Sequence, residues 1–142
     1  QMSWKDKVPG TDKTFGDALL AVHKSFLKPV SALLANKVNI TGMAHITGGG
    51  FQDNIPRVLP NVVNAEIDRA SWEVPTIFKF IQNQGHVDRD EMYRVFNMGI
   101  GYVLIVPKRD LMRTEKILRA NRQPYSIIGV TRKGTGVVTF KN

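Results

Sequence analysis

The sequence contains no cysteine among its 142 residues, which excludes disulfide bonds and thiolate metal ligands. It also has no apolar run of about 18 residues, the length that a membrane-spanning helix needs. The opening segment QMSWKDKVPG carries charges but no apolar core, which is not the pattern of a secretory signal peptide. Acidic residues are scarce: 12 stand against 20 Lys and Arg, so the net charge is +8. We therefore expect a cytoplasmic protein with no membrane partner and with anionic ligands.

A chain of this length forms one domain or part of one, and 42% apolar residues are enough for a globular core. The positive charge favours phosphorylated ligands or nucleic acid. The densest basic segment, residues 108–122, has Leu111, Thr114 and Leu118 on one helical face, which predicts an amphipathic helix with a solvated basic side. The basic residues are not interleaved with aromatics and no nucleic-acid-binding motif is present, so nucleic acid is the less favoured partner.

Apolar periodicity and turn residues predict alternating helices and strands after an irregular lead-in over residues 1–13. Helices are predicted over residues 14–22, 29–36, 54–59, 75–85, 88–96 and 108–119. Strands are predicted over residues 43–47, 64–68, 102–106, 125–130 and 137–140, the last two joined by a glycine-containing turn at 133–136. This alternation indicates an α/β or α+β domain with helices packed on a sheet.

Residues 44–60 are the most informative segment, because consecutive glycines stand between a predicted strand and a predicted helix. Glycine has no Cβ, so its backbone N–H can approach an anion closely, and a helix start adds a positive dipole. We predict that the segment forms a phosphate cradle; the alternative is a tight turn that needs residues with free φ. The residues of the predicted cradle are Thr47, Gly48, Gly49 and Gly50.

Side chains beside these glycines are the candidates for chemistry. His45, at the end of the predicted strand, would face the substrate as a hydrogen-bond donor or proton carrier, or would be a structural histidine that orients the loop. Asn54 and Arg57 lie three residues apart, which predicts that they share one face of the following helix. Arg57 would bind phosphate with two parallel hydrogen bonds, or would pair with a nearby acid.

A second glycine-bearing loop, with Asn97, Gly99 and Gly101, stands directly before the most apolar predicted strand. Its functional interpretation is a wall of the active-site cleft, and its structural alternative is a close crossing of two backbones. The other histidines have weaker claims: His23 is predicted to be structural and His86 to lie on the surface. We predict no metal site, because the acidic residues near position 90 suit a helix start.

Five segments, in order and at family spacing, resemble the C-terminal domain of the phosphoribosylformylglycinamidine cyclo-ligases, also called aminoimidazole ribonucleotide synthetases. They are KPVSALL (28–34), GMAHITGGG (42–50), NIPRVLP (54–60), SWEVPTIF (71–78) and DEMYRVFNMGIGYVLIVP (90–107). NIPRVLP and FNMGIG separate this family from ATP-using relatives of the same fold, such as selenophosphate synthetase and thiamine-phosphate kinase. The resemblance implies a three-layer domain in which helices pack a mixed β-sheet.

The resemblance also implies a reaction of purine biosynthesis. ATP phosphorylates the formyl oxygen of formylglycinamidine ribonucleotide, the amidine nitrogen attacks the activated carbon, and aminoimidazole ribonucleotide forms with ADP and phosphate. In the family the ATP and Mg²⁺ sites lie mainly in a preceding domain that is not found in this sequence. We therefore expect residues 14–142 to be an N-terminally truncated C-terminal domain of a homodimeric enzyme, inactive alone. The alternatives are a basic nucleic-acid-binding or protein-interaction domain and another ATP-using relative of the fold.

Overall fold

The computed structural model describes residues 3–141, in which helices and short strands alternate. The helices are α1 (Phe15–Leu19), α2 (Leu27–Ala35), α3 (Gly50–Asn54), α4 (Thr76–Gly85), α5 (Arg89–Val95) and α6 (Leu111–Ala120). The strands are β1 (Gly42–His45), β2 (Val63–Asp68), β3 (Tyr102–Ile105), β4 (Gly129–Lys133) and β5 (Val138–Lys141). Single 3-10 turns cover Pro56–Val58 and Lys108–Asp110.

The strands form one two-stranded and one three-stranded sheet. Strand β1 pairs antiparallel with β3, with His45 opposite Tyr102. The second sheet has the order β4-β2-β5, and β2 runs antiparallel to β4 but parallel to β5. The predicted α/β class with a mixed sheet is therefore confirmed.

The turn predicted between β4 and β5 implied that these strands pair with each other. They do not, because β2 lies between them. The connecting residues cross the end of β2 and are held there by Asn64. Its side-chain oxygen accepts hydrogen bonds from the N–H groups of Thr135 (2.7 Å) and Val137 (3.0 Å). The predicted strand over residues 125–130 is also too early, since β4 begins only at Gly129, whose missing Cβ leaves room for the Glu66 carbonyl.

Two helix starts follow their predicted chemistry, although their bounds differ. Thr14 and Asp17 form the predicted capping box of α1, but the helix ends at Leu19 rather than Val22. Val22 is 96% exposed, so no packing supports a longer helix there. Helix α2 begins two residues before Pro29, which lies buried in its first turn, where a missing N–H costs no intrahelical hydrogen bond.

The main core fixes the end of β1 and the segment that follows it. Ile46, Phe51, Ile55 and Met92 are each at most 1% exposed and belong to one apolar cluster. A smaller cluster joins α2 to α6 through apolar residues that include Leu33 and Leu118. Positions immediately after β1 are therefore held by buried neighbours on both sides of Thr47–Gly50.

A buried arginine joins the second sheet to α5. The Arg69 side chain is 6% exposed and pairs with Asp90 at 2.6 Å. Its guanidinium carbon lies 4.6 Å from the ring centre of Tyr93 and 4.1 Å from that of Phe140. These aromatic faces stabilise a charge that burial would otherwise disfavour.

Strand β3 is less buried than its apolar sequence predicts. Val103 is buried, whereas Tyr102, Leu104 and Ile105 are partly exposed. The exposed side of β3 borders a cleft of about 890 Å³ that reaches residues 123–131 near β4. An apolar run identifies a strand here, but it does not report whether both faces are covered.

Candidate functional site

The two predicted glycine loops lie side by side at the end of β1. Strand β1 ends at His45, and the next residue, Ile46, donates its backbone N–H to the carbonyl of Gly101 at 2.9 Å. This bond extends the β1–β3 pairing by one step into both loops. The structure therefore brings together segments that are more than fifty positions apart in the chain.

The three consecutive glycines have different reasons for being glycine. Gly49 has φ +91°, and the Asp53 side chain fills the place that its Cβ would take. Gly50 has φ +54°, and a Cβ there would meet the backbone carbonyl of Tyr93. Gly48 has neither constraint, since a Cβ would find nothing within 4 Å. The fold thus requires glycine at positions 49 and 50 but not at 48.

Two backbone N–H groups of this loop are available to a ligand. Gly50 N–H donates to Thr47 O at 3.0 Å, whereas those of Gly48 and Gly49 have no acceptor within residues 3–141. Helix α3 has only five residues, so its dipole attracts an anion less strongly than the sequence prediction assumed. The Asp53 carboxylate beside Gly49 repels an anion on that side. The open approach is therefore at Gly48.

Asn54 holds the glycine loop in place from inside the protein. It is 4% exposed, and its side-chain N–H₂ group donates to the carbonyls of Gly50 (2.7 Å), Gly48 (3.3 Å) and Thr47 (3.4 Å). The Thr47 hydroxyl donates at 3.4 Å to the Asn54 side-chain oxygen. These contacts give Asn54 a positioning role for the loop, with its amide turned away from solvent.

The prediction that Asn54 and Arg57 share a helical face is wrong. Helix α3 ends at Asn54, because Pro56 has no N–H with which to continue it, and a separate 3-10 turn follows. Asn54 points inward, whereas Arg57 is exposed. Within residues 3–141 no carboxylate lies within ion-pair distance of Arg57, so its charge is available at the surface.

The glycines of the second loop pack closely against two neighbouring side-chain rings, rather than against another backbone, and the loop forms one wall of the cleft. The Asn97 side-chain oxygen accepts the N–H of Gly99 at 3.0 Å. Gly99 has φ +98° and lies against Pro75, and a Cβ on Gly101 would meet the ring of Phe26 at 2.8 Å. Asn97, Gly99 and Gly101 also line the cleft beside β3, whereas Gly48–Gly50 do not. The candidate residues therefore fall on two adjoining surfaces.

A histidine pair is the feature that the sequence did not predict. The Nε2 atoms of His23 and His45 lie 3.4 Å apart, although the residues are 22 positions apart in the chain. Phe26 brings the intervening segment back to β3 by packing on Tyr102, with ring centres 5.2 Å apart. No local spacing signals this contact, because it depends on how the irregular segment after α1 folds back. The third histidine, His86, is exposed as predicted.

The basic helix α6 has the predicted amphipathic form. Thr114 and Leu118 are buried, and its charged residues are mainly exposed. Arg119 donates to the Tyr125 hydroxyl at 2.8 Å, and this hydrogen bond raises the pKa of Arg119 above its ordinary value. The same hydroxyl donates at 2.8 Å to Glu115. Part of the positive charge of α6 is thus engaged within the domain.

Residues 3–141 contain neither a cluster of metal-ligating residues nor a membrane-spanning helix. No group of three or more His, Cys, Asp or Glu residues is arranged to hold a metal ion in this part of the chain. None of the helices described there is long and apolar enough to cross a membrane.

The sequence matches the family model described as "AIR synthase related protein, C-terminal domain" over residues 2–141. It is 44% identical over 137 residues to a phosphoribosylformylglycinamidine cyclo-ligase of Thermoanaerobacter sp. (strain X514), covering 96% of this chain and 40% of the relative. The cyclo-ligase of Caldanaerobacter subterraneus subsp. tengcongensis is 45% identical over 136 residues, with the same coverage. That of Bacillus pumilus is 46% identical over 126 residues, covering 88% of this chain and 36% of the relative. The chain therefore spans about two fifths of the length of these relatives.

Proposed function

The chain belongs to the family of AIR synthase related proteins as a C-terminal domain, and we propose that it forms the substrate-binding part of a phosphoribosylformylglycinamidine cyclo-ligase. In this proposal it binds formylglycinamidine ribonucleotide and presents it for closure of the imidazole ring. The cyclo-ligase names of relatives at 44–46% identity support this reaction class. The glycine loop gives the proposal a physical basis, because the substrate carries a phosphate.

The observation that carries the proposal is the pair of backbone N–H groups at Gly48 and Gly49, which lack an acceptor within residues 3–141. Asn54 holds the carbonyls around them from the buried side. Backbone N–H groups fixed in this way bind a phosphate oxygen without having to be ordered first. We place the phosphate on the Gly48 side of the loop, where no side chain intervenes.

We assign three side chains that are close to this loop in sequence to the phosphate. The Thr47 side chain is exposed at the start of the loop, and exposed Arg57 follows α3 without an ion-pair partner in residues 3–141. An arginine can give phosphate two parallel charge-assisted hydrogen bonds. His45, at the end of β1 and directly before the loop, supplies a hydrogen-bond donor or a proton carrier in this proposal. We propose that Asn97, Gly99 and Gly101 bound the neighbouring cleft that receives the rest of the substrate.

ATP and Mg²⁺ are proposed to bind outside this chain. Magnesium prefers several oxygen ligands, commonly carboxylates together with phosphate and water. Residues 3–141 present no acidic group of three or more with suitable geometry. The domain therefore contributes binding and orientation of the ribonucleotide, and we expect no turnover from it alone.

Calorimetric titration with formylglycinamidine ribonucleotide tests the proposal. We expect one binding event per chain. Gly48→Val should weaken it about tenfold, because the added side chain would keep the phosphate away from the loop N–H groups, at a cost of roughly one good hydrogen bond. Lys116→Ala on α6 is the matched control: it removes an exposed positive charge away from the loop and should leave the affinity unchanged.

Titration with DNA distinguishes the proposed function from nucleic-acid binding. If a short DNA duplex binds and its affinity falls steeply with salt, while the ribonucleotide does not bind, the domain is a basic nucleic-acid-binding module. Equal affinity of wild type and Gly48→Val for the ribonucleotide would place the substrate elsewhere. A fall in affinity with Lys116→Ala would point to the basic helix.

A further inference from the structure

The His23–His45 pair brings two exposed imidazole nitrogens within contact distance of each other. Both imidazoles are exposed, and their Nε2 atoms are 3.4 Å apart. The ring centres are 5.2 Å apart and the ring planes are inclined by 81°. Two exposed histidines gain little from one long hydrogen bond in water, so the pair invites a second interpretation.

The spacing of the two nitrogens matches that of two ligands on one tetrahedral metal ion. Zn–N bonds are about 2.0–2.1 Å long, and at the tetrahedral angle two such nitrogens lie about 3.3–3.4 Å apart. Neighbouring ligands of an octahedral ion with the same bonds would lie only about 2.9 Å apart. The observed 3.4 Å agrees with the tetrahedral value and not with the octahedral one.

The surrounding structure holds both rings. The β1–β3 register fixes the backbone of His45 opposite Tyr102, and the centre of its ring lies 6.1 Å from that of Tyr102. Phe26 packs on Tyr102 at 5.2 Å and lies 6.3 Å from the His23 ring, which ties the His23 segment to the same strand pair. The exposure of both imidazoles leaves room for water at the remaining coordination positions.

We propose that His23 and His45 form a two-imidazole binding site for Zn²⁺, with water completing the tetrahedron. Neutral imidazole is a good ligand for zinc and a poor one for Mg²⁺ or Ca²⁺, so this site is selective against hard cations. With only two protein ligands, the ion remains open to an additional ligand oxygen. Binding would occupy the Nε2 of His45, so Zn²⁺ would compete with any hydrogen bond that this atom makes to a substrate.

The test is a calorimetric titration of the chain with Zn²⁺ near pH 7.5, in a buffer that does not bind the metal. We expect one ion per chain and at least a tenfold weaker affinity in both His23→Ala and His45→Ala. His86→Asn is the matched control, because His86 is the remaining histidine of the sequence, is exposed, and has φ 48°, which asparagine tolerates. This variant should bind Zn²⁺ like the wild type.

Two further readouts make the result decisive. Nitrogen NMR of the imidazoles should show that Zn²⁺ shifts the Nε2 resonances of His23 and His45 but not that of His86. Substitution by Co²⁺ should give the intense visible absorption of a tetrahedral ion. The proposal is overturned if His23→Ala binds Zn²⁺ like the wild type, if His86→Asn loses binding, or if millimolar Zn²⁺ leaves the His23 and His45 resonances unmoved.

Discussion

Replacing glycine by alanine should change the stability of the domain strongly at position 50 of the glycine loop and hardly at all at position 48. Alanine at position 50 must adopt φ near +54° and must also push against the Tyr93 carbonyl. The left-handed backbone costs about 1–2 kcal/mol, and overpacking against fixed backbone costs about 1–3 kcal/mol. Gly50→Ala should therefore destabilise the domain by about 2–5 kcal/mol. Alanine at position 48 meets open space, and the expected change is within about 0.5 kcal/mol.

Urea unfolding followed by tryptophan fluorescence measures both variants. For a domain of this size each kcal/mol shifts the melting temperature by about 2–4 °C, so a thermal scan should separate them by several degrees. Affinity for the ribonucleotide should fall more in Gly48→Ala than in Gly50→Ala, because Gly48 is the position open to solvent. If the two substitutions destabilise the domain equally, the assignment of a structural role to Gly50 and a free role to Gly48 is refuted.

Three other predictions concern the surroundings of the site. Asn54→Ala removes the donor that satisfies the loop carbonyls and should cost about 2–3 kcal/mol in urea unfolding; a change below about 0.5 kcal/mol would contradict its positioning role. Arg69→Ala should cost more than Asp90→Ala in the same assay, because Arg69 is buried against two aromatic rings while Asp90 is mainly exposed; the reverse order would show that the ion pair dominates. The hydrogen bond from the Thr14 hydroxyl holds the pKa of Asp17 below its ordinary value, so its stabilising effect is present above that value and is lost as the pH falls through the lowered one. Asp17→Asn should accordingly flatten the loss of thermal stability between pH 5 and about pH 2, and an unchanged acid profile would refute the contribution.

Helix starts and buried helix faces were predictable from the sequence, because residues close together in the chain determine them. The capping box at Thr14 and Asp17 starts a helix as expected, and the apolar face of α6 is buried at Thr114 and Leu118. The order of the strands was not predictable in this way. Side-chain alternation cannot reveal that β2 separates β4 from β5, because that arrangement depends on long-range contacts such as those of Asn64.

In the candidate site, too, local features were predictable from the sequence and long-range contacts were not. The sequence identified the glycine segments, and the structure places them next to each other through the Ile46–Gly101 hydrogen bond. It could not separate the inward Asn54 from the outward Arg57, since a helix continuing through Pro56 would have put both on one face. It also could not predict the contact of His23 with His45, because the segment between α1 and α2 has no periodic pattern.

The central claim, that the Gly48–Gly49 amides receive the substrate phosphate, is tested most directly by amide NMR. The chain, labelled with ¹⁵N, would be titrated with formylglycinamidine ribonucleotide while the N–H resonances are followed. The account predicts the largest shifts at Gly48 and Gly49, with little change along α6. Shifts confined to the exposed basic residues of α6, with the glycine resonances unmoved at saturation, would contradict it.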